Sequence, residues 1–357
     1  MVDITNRNMD KKDIRSLNLG ELANLIESIG EPKYRAKQLY EWLHKRQADS
    51  FAEMNNIPAK LKDKLSEEYS VFTVSKVRMQ ESREDGTRKY LFELHDGEYV
   101  ESVFMRYSHG NSVCVSSQVG CRMGCSFCAS TLDGLIRNLT AGEIIGQVYA
   151  IIRDTGERVS NVVIMGSGEP FDNYDNVISF MKLISDENGV NISGRNITVS
   201  TCGLVDRIKQ FADEEMAATL AISLHASNDE KRREIMPIAR SYSIDEIIDA
   251  CRYFFDKTGR RLTFEYSLIA GVNDSEKEAN ELSTLLHGLN CHVNLIPVNP
   301  VKETGYKSPS REAALSFKNK LEKNHINVTI RREMGRDIDG ACGQLRRRVK
   351  QEISRGN

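Results

Sequence analysis

Short runs rich in valine and isoleucine alternate with helix-like stretches from about residue 111 onward, and no other feature of the sequence constrains the fold as strongly. Buried strands separated by helices are typical of a parallel sheet. Six such units predict a partial (β/α)6 barrel of the α/β class, although a doubly wound sheet would give a similar pattern. The strands are predicted at residues 112–116, 161–165, 196–200, 218–223, 261–266 and 292–297.

Helix starts support this reading. Three of the helices between the predicted strands begin with a capping-box pattern, in which a Ser or Thr is followed three residues later by Glu. The pairs are Thr140 with Glu143, Ser243 with Glu246, and Ser275 with Glu278.

Two further regions precede the alternating part. Residues 1–71 carry apolar side chains at helical spacing and predict an N-terminal helical module. Residues 72–108 contain three strand-like runs separated by Asp85-Gly86 and Asp96-Gly97, which predicts a short antiparallel β segment. We therefore divide the chain into a helical module (1–71), a β-meander linker (72–108), the barrel (109–335) and a C-terminal loop and basic tail (336–357).

Apolar runs and charge limit where the protein can be located and what it can bind. No apolar run approaches the length of a membrane span and the chain starts without an apolar leader, so we predict a cytoplasmic protein with no membrane association. The net charge is −2, but residues 331–357 hold eight Lys and Arg against four Asp and Glu. On charge alone this segment is predicted to be a solvated tail; contact with RNA would need support from other features.

The spacing of three cysteines is the sharpest chemical signal. Cys121, Cys125 and Cys128 lie within eight residues, just after the first predicted barrel strand. Clustered thiols in a reducing cytosol bind metal more often than they form disulfides, and cysteine thiolates are the ligands of iron–sulfur clusters. Three ligands on a four-iron cluster leave one iron open. Zinc is the alternative, with Cys114 as a fourth ligand, but that spacing is unusual for zinc.

This C-x3-C-x2-C motif in a β/α domain resembles the radical S-adenosylmethionine superfamily. The resemblance implies a [4Fe–4S] cluster that binds S-adenosyl-L-methionine through its open iron. Polar residues follow four of the six predicted strands, where the active sites of β/α barrels lie. The cofactor contacts implied at these positions are Gly168, Glu169, Ser200, Ser223, Leu224, His225 and Asn299.

Longer motifs resemble one family within this superfamily, the RlmN adenine-C2 RNA methyltransferases. They are Cys114-Val-Ser-Ser-Gln-Val-Gly-Cys121, Met165-Gly-Ser-Gly-Glu-Pro170, Ile222-Ser-Leu-His-Ala226, Asn294-Leu-Ile-Pro-Val-Asn-Pro300 and Asp337-Ile-Asp-Gly-Ala-Cys342. The resemblance implies methylation of carbon 2 of an adenosine near the peptidyl-transferase centre of 23S rRNA, and of an adenosine beside the tRNA anticodon. It also implies an RNA-binding role for residues 1–71. We further predict a reductant such as flavodoxin and a monomer.

The resemblance further implies roles for three residues outside the cluster motif. Cys342 would carry the methyl group on its sulfur, Cys114 would form a transient disulfide with Cys342 to release the product, and Glu101 would accept a proton. A covalent carrier suits this chemistry because carbon 2 of adenine is not nucleophilic and direct methyl transfer would be slow. Gly340 and Gly343 flank Cys342, which predicts a flexible loop.

Two rival readings remain open from the sequence. The sister family Cfr methylates carbon 8 of the same adenine and shares the cysteines and cofactor motifs, although Val119 and Pro297-Val298 look more like the RlmN family. A non-enzymatic, zinc-stabilised RNA-binding protein is the rival from another class.

Overall fold

The computed structural model describes residues 11–299, 305–338 and 343–355, and in these ranges helices pack around one large mixed sheet. The N-terminal segment forms three helices. Their apolar residues recur at helical spacing, so that each buries one face; Leu61 and Leu65 are an example. A two-strand parallel pairing joins the start of the module to its end. The elements are β1 (Lys12–Asp13), α1 (Leu19–Ser28), α2 (Tyr34–Tyr40, continued by a π-helical turn over Glu41–Lys45), α3 (Ala59–Glu68) and β2 (Tyr69–Ser70).

The antiparallel meander is confirmed, and it continues directly into the main sheet. Its last strand pairs antiparallel with the first strand of the parallel part, in the register Val103 to Cys114. The meander is therefore hydrogen-bonded to the barrel and is part of the same ten-stranded sheet. Its strands are β3 (Ser75–Glu81), β4 (Arg88–Glu93) and β5 (Tyr99–Tyr107), and the first parallel strand is β6 (Gly110–Cys114).

A small hairpin and a series of β/α units follow. All three predicted capping boxes are present, at the starts of the helices that begin at Ala141, Ile244 and Glu276. The elements are β7 (Gln118–Gly120), β8 (Leu135–Asn138), α4 (Ala141–Thr155), β9 (Asn161–Ile164), α5 (Tyr174–Ser185), β10 (Ile197–Thr201), α6 (Val205–Asp213), β11 (Thr219–Ser223), α7 (Asp229–Ile235), α8 (Ile244–Thr258), β12 (Leu262–Leu268), α9 (Glu276–Leu286), β13 (Cys291–Pro297), α10 (Arg311–Lys323), β14 (Asn327–Ile330) and α11 (Gln344–Arg355).

The strand order confirms the predicted fold class. The six predicted strands correspond to β6, β9, β10, β11, β12 and β13, which pair parallel in that order. Because crossovers between parallel strands are almost always right-handed, an order that never reverses puts the helices on one face of the sheet, as in a barrel and unlike a doubly wound sheet. The short β14 adds a seventh parallel strand that the sequence did not predict. No strand pairing among the described residues closes the barrel.

The two outer edges of this curved sheet are bridged by the segment after β14. The backbone N–H of Gly335 donates to Asp85 Oδ2 at 2.9 Å, and the N–H of Arg83 donates to Asp337 Oδ2 at 2.8 Å. These contacts join the β14 edge to the turn between β3 and β4. Side-chain hydrogen bonds therefore take the place of strand pairing at this point.

The C-terminal segment differs from its predicted form. Charge alone predicted a solvated tail, but residues 344–355 form helix α11. Leu345 and Val349, one helical turn apart, are buried against Leu91 of the meander. This apolar pair explains why a segment rich in arginine docks on the sheet.

Buried polar contacts attach the N-terminal module to the barrel. Arg15 is fully buried and donates to the carbonyl oxygens of Phe72 and Ala48 at 3.1 and 2.6 Å. Asp13 Oδ2 accepts from Thr140 Oγ1, the cap of α4, at 2.9 Å. Because buried polar groups are costly without partners, these contacts favour a single arrangement of the two parts. None of the described helices is long and apolar enough to cross a bilayer.

Buried His44 makes the stability of this junction pH-dependent. Its Nδ1 lies 3.0 Å from the hydroxyl of Tyr149, and burial lowers the pKa of His44 from 6.5 to about 3. Since the unfolded chain binds this proton at higher pH than the folded chain, stability is lost as the pH falls from about 6.5 towards 3. Denaturant unfolding should show wild type losing about 1.4 kcal/mol more per pH unit in this window than His44→Phe. The exposed His287→Phe should behave as wild type; equal slopes for all three proteins would contradict the prediction.

Candidate active site

The β7–β8 hairpin fixes the start of the loop that carries Cys121, Cys125 and Cys128, which we call the cysteine loop. The two strands pair antiparallel from Gln118 to Gly120, and the N–H of Cys121 donates to the carbonyl of Gly134 at 2.9 Å. Gly120 has φ +80°, and a Cβ atom at this position would lie 2.0 Å from the Gly134 carbonyl oxygen. Only glycine allows this close approach of two backbone segments.

Further contacts hold the rest of the loop in place. Thr131 Oγ1 donates to the carbonyl oxygens of Cys125 and Cys128 at 3.2 and 2.9 Å. The N–H of Ser126 donates to the carbonyl of Ile235, the last residue of α7, at 2.9 Å. Met123 of the loop packs in one apolar cluster with side chains from the end of α7 and from three strand ends: Ala226, Ile235, Met236, Ile269 and Val298.

The three thiols share one electrostatic environment. The pKa of Cys121 is raised to about 12, mainly by burial and to a smaller extent by the charges of Glu169 and Cys128. Burial also raises the pKa of Cys125, with added repulsion from Cys128 and Cys121. Thiolates that repel one another in a buried site are stabilised by a shared cationic centre, so this donor set suits an iron–sulfur cluster. In residues 11–299, 305–338 and 343–355, no three Cys, His, Asp or Glu groups form the compact ligand set of a single metal ion.

Glu169 lies buried beside this loop, at the end of β9. Its Oε1 accepts from the N–H of Phe171 at 3.0 Å, and its Oε2 accepts from the N–H of Cys202 at 2.8 Å. Its own N–H donates to Oε1 of Gln118 in β7 at 2.8 Å. Burial raises the pKa of this carboxyl, and a bound ammonium group would offset that effect. Gly168, with φ +109°, lets the backbone pass Gln118 closely.

The next two strand ends contribute Ser200, Ser223, Leu224 and His225. The hydroxyls of Ser200 and Ser223 lie 3.2 Å apart. Leu224 is fully buried, and its N–H and carbonyl are both used within the protein, by Glu265 and Arg232. Leu224 therefore offers a cofactor its side chain more readily than its backbone.

His225 has a defined tautomer. Its Nδ1 accepts from the N–H of Ser267 at 2.9 Å, so the ring proton lies on Nε2, and burial lowers its pKa to about 3. It adopts a left-handed φ of +58°, and its ring contacts Phe127 of the cysteine loop with centroids 5.0 Å apart. Nε2 of this neutral imidazole is thus a hydrogen-bond donor beside the loop.

Asn299 is exposed, two residues beyond β13. Its neighbour Val298 packs in the apolar cluster with Met123 of the cysteine loop, which brings this strand end to the same area. The predicted cofactor residues thus come from four different strand ends at one edge of the sheet.

Arg232 belongs to this site but was missed by the sequence analysis. It is fully buried, donating from Nε to the Leu224 carbonyl at 3.2 Å and from Nη2 to the Cys202 carbonyl at 2.5 Å. Its Nη1 has no hydrogen-bond partner among the residues that the structure describes. Its sequence context, Asp-Glu-Lys-Arg-Arg-Glu, reads as a solvated helix face, so no local signal marked it.

Glu101 lies at the centre of a second cluster on the same edge. Lys89, fully buried, contacts its Oε2 at 3.0 Å. The N–H of Gly343 donates to Oε2 at 2.6 Å, and the N–H of Arg346 donates to Oε1 at 2.7 Å. Glu101 therefore caps the start of α11 as well as pairing with Lys89.

Gly343 connects this cluster to the cysteine loop. A Cβ atom on Gly343 would lie 3.0 Å from the nitrogen of Ser130, two residues after Cys128. Ser116 Oγ donates to the Glu101 carbonyl at 2.7 Å, two residues after Cys114 at the buried end of β6. Cys342 itself lies outside the described residues. The structure thus brings the residue after Cys342, the end of β6 and the cysteine loop together.

Comparisons with known proteins agree with this geometry. The Radical SAM superfamily matches residues 115–282, and the ribosomal RNA large subunit methyltransferase N-terminal domain matches residues 12–71. The crystal structure of a radical SAM methyltransferase from Sphaerobacter thermophilus is 43% identical, with TM-score 0.88 over 93% of this chain and 98% of that chain. Fold and site therefore define a radical S-adenosylmethionine enzyme, which uses a [4Fe–4S] cluster and S-adenosyl-L-methionine.

Two relatives identify the family. The dual-specificity RNA methyltransferase RlmN of Lachnospira eligens is 60% identical over 96% of this chain and 97% of the relative. Its counterpart in Lachnoclostridium phytofermentans is 58% identical over 95% of each chain. This chain belongs to the RlmN family of RNA methyltransferases. The resemblance found in the sequence is confirmed, and the chain is an enzyme rather than a non-enzymatic zinc protein.

Replacing Gly120 tests the close approach at the cysteine loop. Gly120→Ala should lower the iron content per chain after anaerobic reconstitution, because the new methyl group forces the two hairpin segments apart. Gly134→Ala is the matched control, since Gly134 also has a positive φ, +68°, but nothing lies within 4 Å of its Cβ position. The control should show only the backbone cost of about 1–2 kcal/mol. Equal iron contents in Gly120→Ala and Gly134→Ala would contradict the predicted steric clash at Gly120.

Replacing Lys89 tests the buried ion pair. Lys89→Met leaves the Glu101 carboxylate without its cation and should lower the free energy of unfolding by about 3–5 kcal/mol. Lys182→Met breaks an exposed ion pair with Glu214 and should cost less than about 1 kcal/mol. Denaturant titration of both variants gives the comparison, and similar small losses would show that Lys89 does not support Glu101.

Proposed function

We propose that this enzyme methylates carbon 2 of an adenosine near the peptidyl-transferase centre of 23S rRNA and of the adenosine beside the tRNA anticodon. The methyl group would pass through a methyl-cysteine on Cys342. The names of the relatives, dual-specificity RNA methyltransferases, support RNA of two kinds as substrate. We further propose that the protein is a cytoplasmic monomer, reduced by a donor such as flavodoxin.

One observation carries the carrier role. The backbone of Gly343, the residue after Cys342, donates to Glu101 and packs against Ser130 beside the cysteine loop. A methyl carrier must reach both the cluster and the substrate. The contacts of Gly343 hold the residue next to the proposed carrier near the cysteine loop. The alternative role for Cys342, a buried core cysteine, has no such requirement.

We propose the following roles for the other residues. Cys121, Cys125 and Cys128 would hold the cluster, which supplies the electron that starts the radical chemistry. Glu169 would accept from the ammonium group of S-adenosyl-L-methionine. The remaining proposed contacts are Gly168, Ser200, Ser223, Leu224, His225 and Asn299.

Glu101 and Cys114 would complete the cycle on the protein side. Glu101 would take a proton from the substrate adenine, and Lys89 pairs with its carboxylate in the interior. The thiolate of Cys114 would attack the carrier sulfur of Cys342. The disulfide would form as the bond between that sulfur and the methylene carbon breaks; the electron pair would leave with the adenine, and the methylene would take up a proton to give the methyl product. In this proposal residues 1–71 serve as an RNA-binding accessory domain, 72–108 as a linker, 109–335 as the catalytic barrel and 336–357 as the carrier segment.

Anaerobic turnover tests the proposal. Reconstituted enzyme, S-adenosyl-L-methionine, a reductant and a 23S rRNA fragment should give 2-methyladenosine by mass spectrometry. Cys342→Ala should lose the product entirely, whereas Cys251→Ala, which changes a fully buried cysteine of α8, should retain it.

The possible products separate the alternatives. If 8-methyladenosine alone appears, the activity is that of the sister family Cfr. If Cys342→Ala still turns over, the carrier mechanism is wrong. Repeating the assay with tRNA decides whether the second substrate is used.

A further inference from the structure

A surface groove of about 840 Å³ opens at the end of the sheet formed by β13 and β14. It is lined by Pro297, the last residue of β13, by Ile330, the last residue of β14, and by the start of α10. Because the strands are parallel, these ends lie on the edge of the sheet that also carries Glu169 and His225. The groove therefore lies on the catalytic side of the molecule.

Five basic and three acidic side chains line this groove. Two of the acidic groups are already engaged, since Glu333 pairs with Arg336 and Asp85 accepts from the N–H of Gly335. Lys318 pairs with Glu322 on its own helix. Counted over the whole lining, the formal charge of the groove is +2, and four of its five basic side chains are arginines.

Three arginines of the groove form no ion pair among the described residues. Arg311, Arg331 and Arg332 are all exposed, and none forms an ion pair with a carboxylate of the described residues. Arg311 begins α10, where the backbone N–H groups at a helix start add positive potential. Arg331 lies near the buried Glu265 and lowers the pKa of that carboxyl, against the larger effect of burial, without forming an ion pair with it.

We propose that this groove holds the sugar–phosphate backbone of the RNA substrate while the target base enters the active site. The inference rests on the proposed function, because it assumes RNA as the substrate. Unpaired guanidinium groups bind phosphate oxygens strongly, in a bidentate geometry. Their contribution is independent of base sequence, which suits an enzyme that acts on two different RNAs.

The test compares two triple variants that remove the same charge from opposite edges of the sheet. The groove variant is Arg311→Gln/Arg331→Gln/Arg332→Gln. The control is Arg158→Gln/Arg195→Gln/Arg261→Gln; these exposed arginines precede β9, β10 and β12 at the amino ends of the strands and form no ion pairs with described carboxylates. The double variant Arg311→Gln/Arg332→Gln keeps Arg331. It shows whether weaker RNA binding arises without any change in the interaction between Arg331 and Glu265.

Binding of a fluorescein-labelled 23S rRNA fragment to the reconstituted holoenzyme is measured by anisotropy over a range of salt concentrations. The groove variant should bind about 10- to 100-fold more weakly near 0.1 M salt, and its plot of log affinity against log salt should be shallower by about 2 to 3. The double variant, which removes two of the three charges, should show about two thirds of that slope change. The control variant should bind as wild type.

The outcomes distinguish failure of the groove proposal from failure of the proposed methylation activity. If the groove variants bind RNA as tightly as wild type, the groove is not the RNA surface; a groove for an acidic protein partner would give this result. If both triple variants weaken binding equally, only total charge matters and the proposal fails. Wild-type methylation of the same fragment is recorded in parallel, so that absence of product overturns the proposed function by itself.

Discussion

Parallel pairing of the barrel strands is the constraint on which the site depends. The carboxyl ends of neighbouring parallel strands lie side by side, so residues far apart in sequence meet at that end of the sheet. The cysteine loop follows β6, Glu169 follows β9, and His225 follows β11. The hydrogen bonds that join these loops form only when all the strands are in register.

Buried polar groups give this edge its rigidity. Glu169 is held by two backbone N–H groups, and His225 by the N–H of Ser267 and by Asn273, which donates to its carbonyl. Each such group is stable in the interior only with its partners, so an alternative loop arrangement would leave it unsatisfied. Arg232 differs from these groups, since its Nη1 has no hydrogen-bond partner among the described residues. Rigid support of this kind is what a site for a reactive intermediate requires.

The two ends of the chain are tied to the barrel by the same kind of contact. Near the amino end, Asp13 and Arg15 bind the cap of α4 and the chain before β3. Near the carboxyl end, Glu101 caps α11 and pairs with Lys89. Both contacts are buried charges with partners distant in sequence. The segment that contains Cys342 is therefore attached to the sheet on its carboxyl side by α11.

The sequence by itself determined the alternation of strands and helices, the three capping boxes, the cysteine motif and the family, because these depend on local periodicity, spacing and motif order. Tertiary structure alone decided that β14 joins the sheet, that the meander is continuous with it, and that α11 docks on it. It also decided the burial of Lys89 and Arg232. A charged side chain is buried only where distant groups satisfy it, and Gly343 contacts Glu101 across 242 positions. No local pattern encodes such a partner.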